Sequence, residues 1–326
     1  MPRKSVVKRE KTSMRCVIRW GVLVVLFGPA LATAQEAQNQ QGFPAWIVQW
    51  EPVEENPLFE GAGGDAWDAR IRERGWICRE PDGSYRLWYT GYNEDRSPTR
   101  FLGHATSPDG IVWTRDPRNP LYTDHWVEDM CVLRQGDRYY MFAEGTNDIA
   151  HLLTSTDGIN WVRQGPLDVR LTNGQPIPEG PYGTPTVLVK DGVWHLFYER
   201  RDQGVWLATS TDLRVWTNVK DDPVISLGPE PYDQTAVALN QIIELDGVYF
   251  GIYHANAHRP WRDWTTCLAR STDLIHWEKY AGNPIIEDNR SSGIFVEEPD
   301  GWVVYTMHPD IRRFESTGSS DEADRP

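Results

Sequence analysis

The chain has 326 residues, with 33 Lys and Arg against 47 Asp and Glu, a formal net charge of −14. So acidic a balance argues against nucleic acid and anionic membrane surfaces as partners. The length suits one large domain or two small ones, and four cysteines are too few for a disulfide framework.

Residues 1–34 read as a secretory signal peptide. Seven Lys or Arg precede an apolar run, Trp20 to Leu31, which ends in the small-residue pattern Ala32-Thr33-Ala34. The run falls short of the about 20 residues of a membrane span, so an uncleaved anchor is the lesser alternative. The mature protein is expected to be secreted or periplasmic, free of the membrane once cleaved, and monomeric. Cleavage removes Cys16 and leaves Cys78, Cys131 and Cys267 as free thiols. Residues 35–42 follow as a linker.

From residue 43 the chain repeats itself. Trp46–Trp50 is the first strand signal, with Pro57 seven residues beyond Trp50. The same spacing separates Trp113 from Pro120, Trp216 from Pro223 and Trp277 from Pro284. Each of these later tryptophans closes a Ser-x-Asp-x-x-x-Trp motif, beginning at Ser107, Ser210 and Ser271, and a fourth copy begins at Ser155 and ends at Trp161. Five tight-turn signals alternate with them: Asp82-Gly83, Gly136-Asp137, Asp191-Gly192, Asp246-Gly247 and Asp300-Gly301, each followed by an aromatic-rich strand. Asp and Gly between apolar runs are a strong hairpin signal. Repeats of this length and content predict an all-β, five-bladed β-propeller of four-stranded blades over residues 43–314. The fifth blade lacks its own motif, so the N-terminal strand Trp46–Trp50 is expected to complete it and close the ring. Residues 315–326 read as a disordered polar tail.

In a propeller the Asp-Gly turns and the Ser-x-Asp turns share one face, and chemistry is sought on the other. There the segments before each first strand supply Asp65, Trp67, Asp68, Arg70 and Glu73, then Trp126, Glu128 and Asp129, then Glu179 and Tyr182, then Asp233. The ends of the second strands supply Glu144, Glu199, Arg200, His254 and His308. Acids from several blades around an aromatic-lined mouth suit glycosidic cleavage. One carboxylic acid protonates the leaving oxygen and one carboxylate activates water or attacks.

At these residues the chain resembles the five-bladed propeller glycosidases, above all glycoside hydrolase family 43, with looser likeness to families 32, 117 and 130. The likeness rests on Ser-Thr-Asp-Leu-x-x-Trp, on Gly136–Phe142 and on Glu179-Gly180-Pro181. It implies inverting hydrolysis of arabinose- or xylose-type linkages in oligo- or polysaccharides. It implies three catalytic acids: a blade-one base, a blade-two acid that tunes and orients, and a blade-three proton donor. Asp68, Asp129 and Glu179 are the candidates, with Glu73 and Asp65 as alternatives to Asp68. Gly183 stands where the family spacing would put the blade-three Glu. Substrate contacts are expected from Trp67, Arg70, Glu73, Glu128, Tyr182, Glu199, Arg200, Asp233, His254 and His308. No cofactor or catalytic metal is required, and a structural calcium ion at the propeller axis is compatible with the pattern. Two rival readings stay open: an inverting phosphorylase, with Arg70, Arg200 and Arg201 holding phosphate, and a sugar-binding propeller without catalysis.

Overall fold

The computed structural model describes residues 42–318. The expected signal peptide over 1–34, all but the last residue of the expected 35–42 linker, and the expected tail from 319 on lie outside the described residues.

Five sheets, each built on four antiparallel strands, form a five-bladed β-propeller; four run in sequential order from the axis outward, and the fifth takes its outer strand from the N-terminal segment. The blades start at first strands Arg70–Arg79, Glu128–Gln135, Gly183–Lys190, Ala236–Leu245 and Ile294–Glu298. Blade three carries two extra short strands, Asp168–Arg170 beside Val215–Asn218 and Ile225–Ser226 beside Gly204–Ser210.

The repeat motif explains itself chemically. In each copy the Asp carboxylate accepts two backbone N–H groups, as Asp157 Oδ1 does from Ile159 and Asn160 at 2.8 Å. The Ser hydroxyl accepts the Gly158 N–H at 2.9 Å, so the outer turn is tied by its own side chains. The motif Trp then packs edge-on against the second strand of the preceding blade. Trp161 meets Trp88, Trp216 meets Phe142, Trp277 meets Phe197 and Trp113 meets Tyr305, at 5.8–6.4 Å between ring centroids. Four edge-to-face pairs of this kind staple neighbouring blades around the ring.

The ring closes through the N-terminal segment, one turn later than the sequence suggests. Ala45–Val48 forms a short helix rather than strand, and the closing strand is Trp50–Pro52, paired with Arg312–Ser316. The last blade therefore runs two residues past 314, and Glu315 and Ser316 are strand rather than tail. Closure also explains the spaced Asn-Pro pairs. Asn119 and Asn283 each bridge the N–H and C=O of one third-strand residue, His104 and Leu268 respectively, at 2.8–2.9 Å. Asn56 does the same for Arg313, at 2.8 Å to both groups. The repeat is thus completed by residues 257 positions apart.

Candidate active site

First strands meet at the axis, and their mouth-side ends are irregular. The pairing register shifts between Arg72 and Trp76, between Glu128 and Cys131, between Gly183 and Thr186, and between Leu239 and Gln241. Within the first three bulges Glu73, Asp129 and Thr184 take left-handed backbone, with φ of 54°, 46° and 44°. Such a conformation costs about 1–3 kcal/mol for a residue with a Cβ and persists only where its surroundings enforce it. Bulges re-aim side chains, and these turn two acids toward one another. One carboxyl oxygen each of Glu73, Glu128 and Asp129 lies within 4.8 Å of the others.

Three carboxyls so close cannot all be ionised beside one partner. Arg72 is that partner: it pairs with Glu73 and, through Nε at 2.7 Å, with Glu128. Burial alone would raise the Glu73 carboxyl, but His308 and Arg72 outweigh it and hold Glu73 well below the usual carboxylate range. His308 Nδ1 stands 3.6 Å from Glu73 Oε2. Burial pushes Glu128 up to about 8 against the pull of Arg72, with Glu73 and Asp129 adding to the rise. Burial and then Glu73 push Asp129 up to about 6, although the Arg74 N–H donates to its Oδ1 at 3.1 Å.

Two further acids face this group from the ends of second strands. Glu144 is buried, and its Oε2 accepts the Thr184 N–H at 2.9 Å. Burial, Asp129 and Glu128 raise its carboxyl far above the ordinary range. A Cβ on Gly183 would stand 2.0 Å from that oxygen. Blade three has glycine at 183 because a carboxyl from blade two occupies the space of the missing side chain. Glu199 is buried with one oxygen held by the Asp202 N–H at 2.8 Å, and burial pushes it up to about 7. His254 donates from Nδ1 to Asn240 Oδ1 at 2.9 Å, and burial lowers it to about 3, so it stays neutral.

The other candidates lie elsewhere. Asp68 is buried but spent: its Oδ2 accepts from Tyr89 Oη at 2.9 Å and Arg115 Nε at 2.8 Å. Trp67 stacks on Tyr89 and packs on Phe101. Arg70 is exposed beside Glu94, 3.5 Å away, and Asp65 is exposed. Glu179 is exposed, and its main-chain carbonyl, not its carboxyl, is held by Arg201. Arg200 donates to the Pro178 carbonyl at 2.8 Å, and Tyr182 Oη donates to the Leu167 carbonyl at 2.8 Å. Asp233 is fully buried and paired with Lys279. Of the sequence candidates, the fold brings together Glu73, Glu128, Asp129, Glu199, His254 and His308.

The cluster has the oxygen ligands for a cation, but Arg72 already supplies positive charge among them. The axis beneath, where a calcium ion was compatible with the sequence, does not fit one. It holds the guanidinium of Arg74, which is fully buried.

No family model matches the sequence. A 1,2-β-oligomannan phosphorylase of a Thermoanaerobacter species is 29% identical over 137 residues, 38% of this chain and 45% of that protein. The match therefore spans less than half of that relative's length. A glycosyl hydrolase from Bacteroides ovatus superposes with a TM-score of 0.67 at 15% identity, over 86% of this chain and 97% of that one. A structure from the family 130 mannoside phosphorylases, described as containing hydrolases that target β-1,2 mannosidic linkages in Candida mannan, gives 0.66 at 16% identity. It covers 87% of this chain and 98% of that one. At such identities the likeness establishes the shared propeller fold.

Proposed function

We propose that the protein is a hydrolase of glycosidic bonds in which Glu199 donates the proton and Asp129 activates water. The observation that carries this is the convergence of five carboxyls, Glu73, Glu128, Asp129, Glu144 and Glu199, whose environments pull their proton affinities apart. Paired acids with separated affinities are what acid–base catalysis requires. Asp129 at about 6 and Glu199 at about 7 hold one proton between them near neutral pH. Glu73 stays ionised and favours positive charge developing on the sugar ring. Glu144 is too tightly protonated, and too enclosed, to exchange its proton in each cycle.

In the reaction the Glu199 proton goes to the glycosidic oxygen as the bond from the anomeric carbon to that oxygen breaks. Water attacks the anomeric carbon and its proton passes to Asp129; solvent then returns the pair to its starting state. Inversion at the anomeric carbon requires that the two carboxyls leave room for that water, a separation of about 6.5–9.5 Å.

Water is favoured over phosphate as the nucleophile by charge. Arg72 is committed to Glu73 and Glu128, Arg74 to main-chain carbonyls, and Arg200 and Arg201 to the Pro178 and Glu179 carbonyls. A phosphate dianion would meet carboxyls with no unengaged arginine beside them among the described residues. The relatives' names direct the choice of sugar toward β-1,2-linked mannosides ahead of the arabinose- or xylose-type linkages. The test is product analysis on β-1,2-mannobiose and a panel of other oligosaccharides, with and without phosphate. Free sugar of inverted anomeric form in both conditions is expected; sugar 1-phosphate formed only with phosphate would overturn the hydrolase reading. Binding without any turnover would favour the non-catalytic one.

A further inference from the structure

Among the described residues the Arg74 guanidinium has no carboxylate partner, yet its side chain is fully buried. Its Nε donates to the Met130 carbonyl at 3.1 Å, and Nη2 donates to the Asp129 and Pro185 carbonyls at 2.5 and 2.6 Å. Its Nη1 reaches the Thr186 hydroxyl at 2.6 Å and the Leu239 and Asn240 carbonyls at 2.9 Å. Every acceptor lies in or beside the bulge that opens a first strand, in blades two, three and four. The main-chain N–H of Arg74 also donates to the Asp129 carboxylate. Asp129 is therefore gripped at both its carbonyl and its carboxyl by one residue.

A guanidinium has five N–H donors in a rigid plane, and here they converge carbonyls from three blades much as a metal ion would. Burying an unpaired charge is costly. A purely structural plug would need no charge, since apolar side chains of the same volume fill a core at least as well. What the charge adds is orientation: it turns five carbonyls from three blades inward, and that turn holds the left-handed backbone at Asp129 and Thr184.

We propose that Arg74 is the positioning residue of the site, an internal cation that clamps the three bulges and so sets both the aim and the ionisation of Asp129. Charged or titratable groups face Asp129 from blade one (Arg72, Glu73, Arg74), from its own blade (Glu128, Glu144) and from blade three (Glu199). Arg74 is the one among them whose positive charge is not shared with a carboxylate. The inference concerns the same site as the proposed hydrolysis, but the ionisation of Asp129 can be read without a substrate.

The experiment compares Arg74→Met, Arg74→Lys and Thr186→Val with the wild type. It uses carbon-13 NMR titration of aspartate carboxyls, with Asp129 assigned by its loss in Asp129→Asn, and steady-state kinetics. In Arg74→Met the Asp129 titration should rise by about 1–3 pH units, the effect of losing one nearby opposite charge. In Arg74→Lys it should stay within about half a unit, because the charge remains. Lysine has three donors rather than five, and Thr186→Val removes one acceptor. Both should lower kcat about tenfold or more with KM little changed, as mis-aimed catalytic groups do. An unmoved titration in Arg74→Met, or wild-type kcat in both Arg74→Lys and Thr186→Val, overturns the proposal. Should Arg74→Met fail to fold, the other two variants decide. A wild type without glycosidic activity would sink the hydrolase reading and leave the titration test intact.

Discussion

Replacing Asp129 by Asn should make the protein nearly inactive and more stable, and the gain in stability should depend on pH. Burial and Glu73 raise the carboxyl from its ordinary 3.8 to about 6. Each pH unit of such a shift corresponds to about 1.4 kcal/mol, so ionised Asp129 costs the folded state about 3 kcal/mol. The sign follows from proton linkage: between about pH 4 and 6 the folded protein binds a proton that the unfolded chain has released. Stability is therefore greatest in acid and is lost as pH rises through 6. Asparagine keeps the Arg74 N–H bond and never ionises. Its melting temperature should exceed the wild type's by about 5–10 °C at pH 7.5 and match it near pH 4. Turnover should fall by about 10²–10⁴, the usual contribution of a general base. Activated aryl glycosides should lose as much as substrates with poor leaving groups, because water activation does not depend on the leaving group. Differential scanning calorimetry at the two pH values, with kinetics on both substrate types, provides the assay. A melting temperature below the wild type's at pH 7.5, or a loss confined to substrates with poor leaving groups, would refute the reasoning.

Asp68→Ala should lower stability by about 3 kcal/mol, since it strands Arg115 and Tyr89, while kcat of the folded fraction stays within about twofold; denaturant titration and kinetics check both. Glu179→Gln should leave activity and stability unchanged, because only the main-chain carbonyl of Glu179 is engaged; a large loss of kcat would return it to the site. Asp157→Ala should cost about 1 kcal/mol through loss of its turn hydrogen bonds, with turnover untouched. The pH profile of kcat/KM should be bell-shaped with a maximum between about 6 and 7. Below it both Asp129 and Glu199 are protonated and above it both are ionised; a plateau running to pH 9 would contradict the pairing.

The repeating features could be read from the chain because they are local. A Ser-x-Asp turn ties itself within a few residues, and each copy does the same work wherever it stands, so blade number and ring closure follow from counting. Even the closing strand announced itself through Asn56, although the helix at Ala45–Val48 displaced it toward Pro52. The site was legible only as a set of blade ends. Glu128 and Asp129 stand at the start of the first strand of blade two, where the spacing put them, and Glu73 reaches the mouth through a bulge like theirs that no local signal marks, while Asp68 is claimed by Arg115. Glu179, in the more familiar tripeptide, stays in solvent. Glu144 enters blade three's space because Gly183 leaves room, a relation between residues 39 apart in sequence and on different blades. A charged residue beside a glycine inside the apolar first strand, Arg74-Gly75, was the one available hint of the axial guanidinium. Its meaning lies in carbonyls of three other blades. Hydrogen bonds within a turn are decided by the residues of that turn, whereas burial, shared protons and the occupant of the axis are properties of the closed ring, and exist only once all five blades have met.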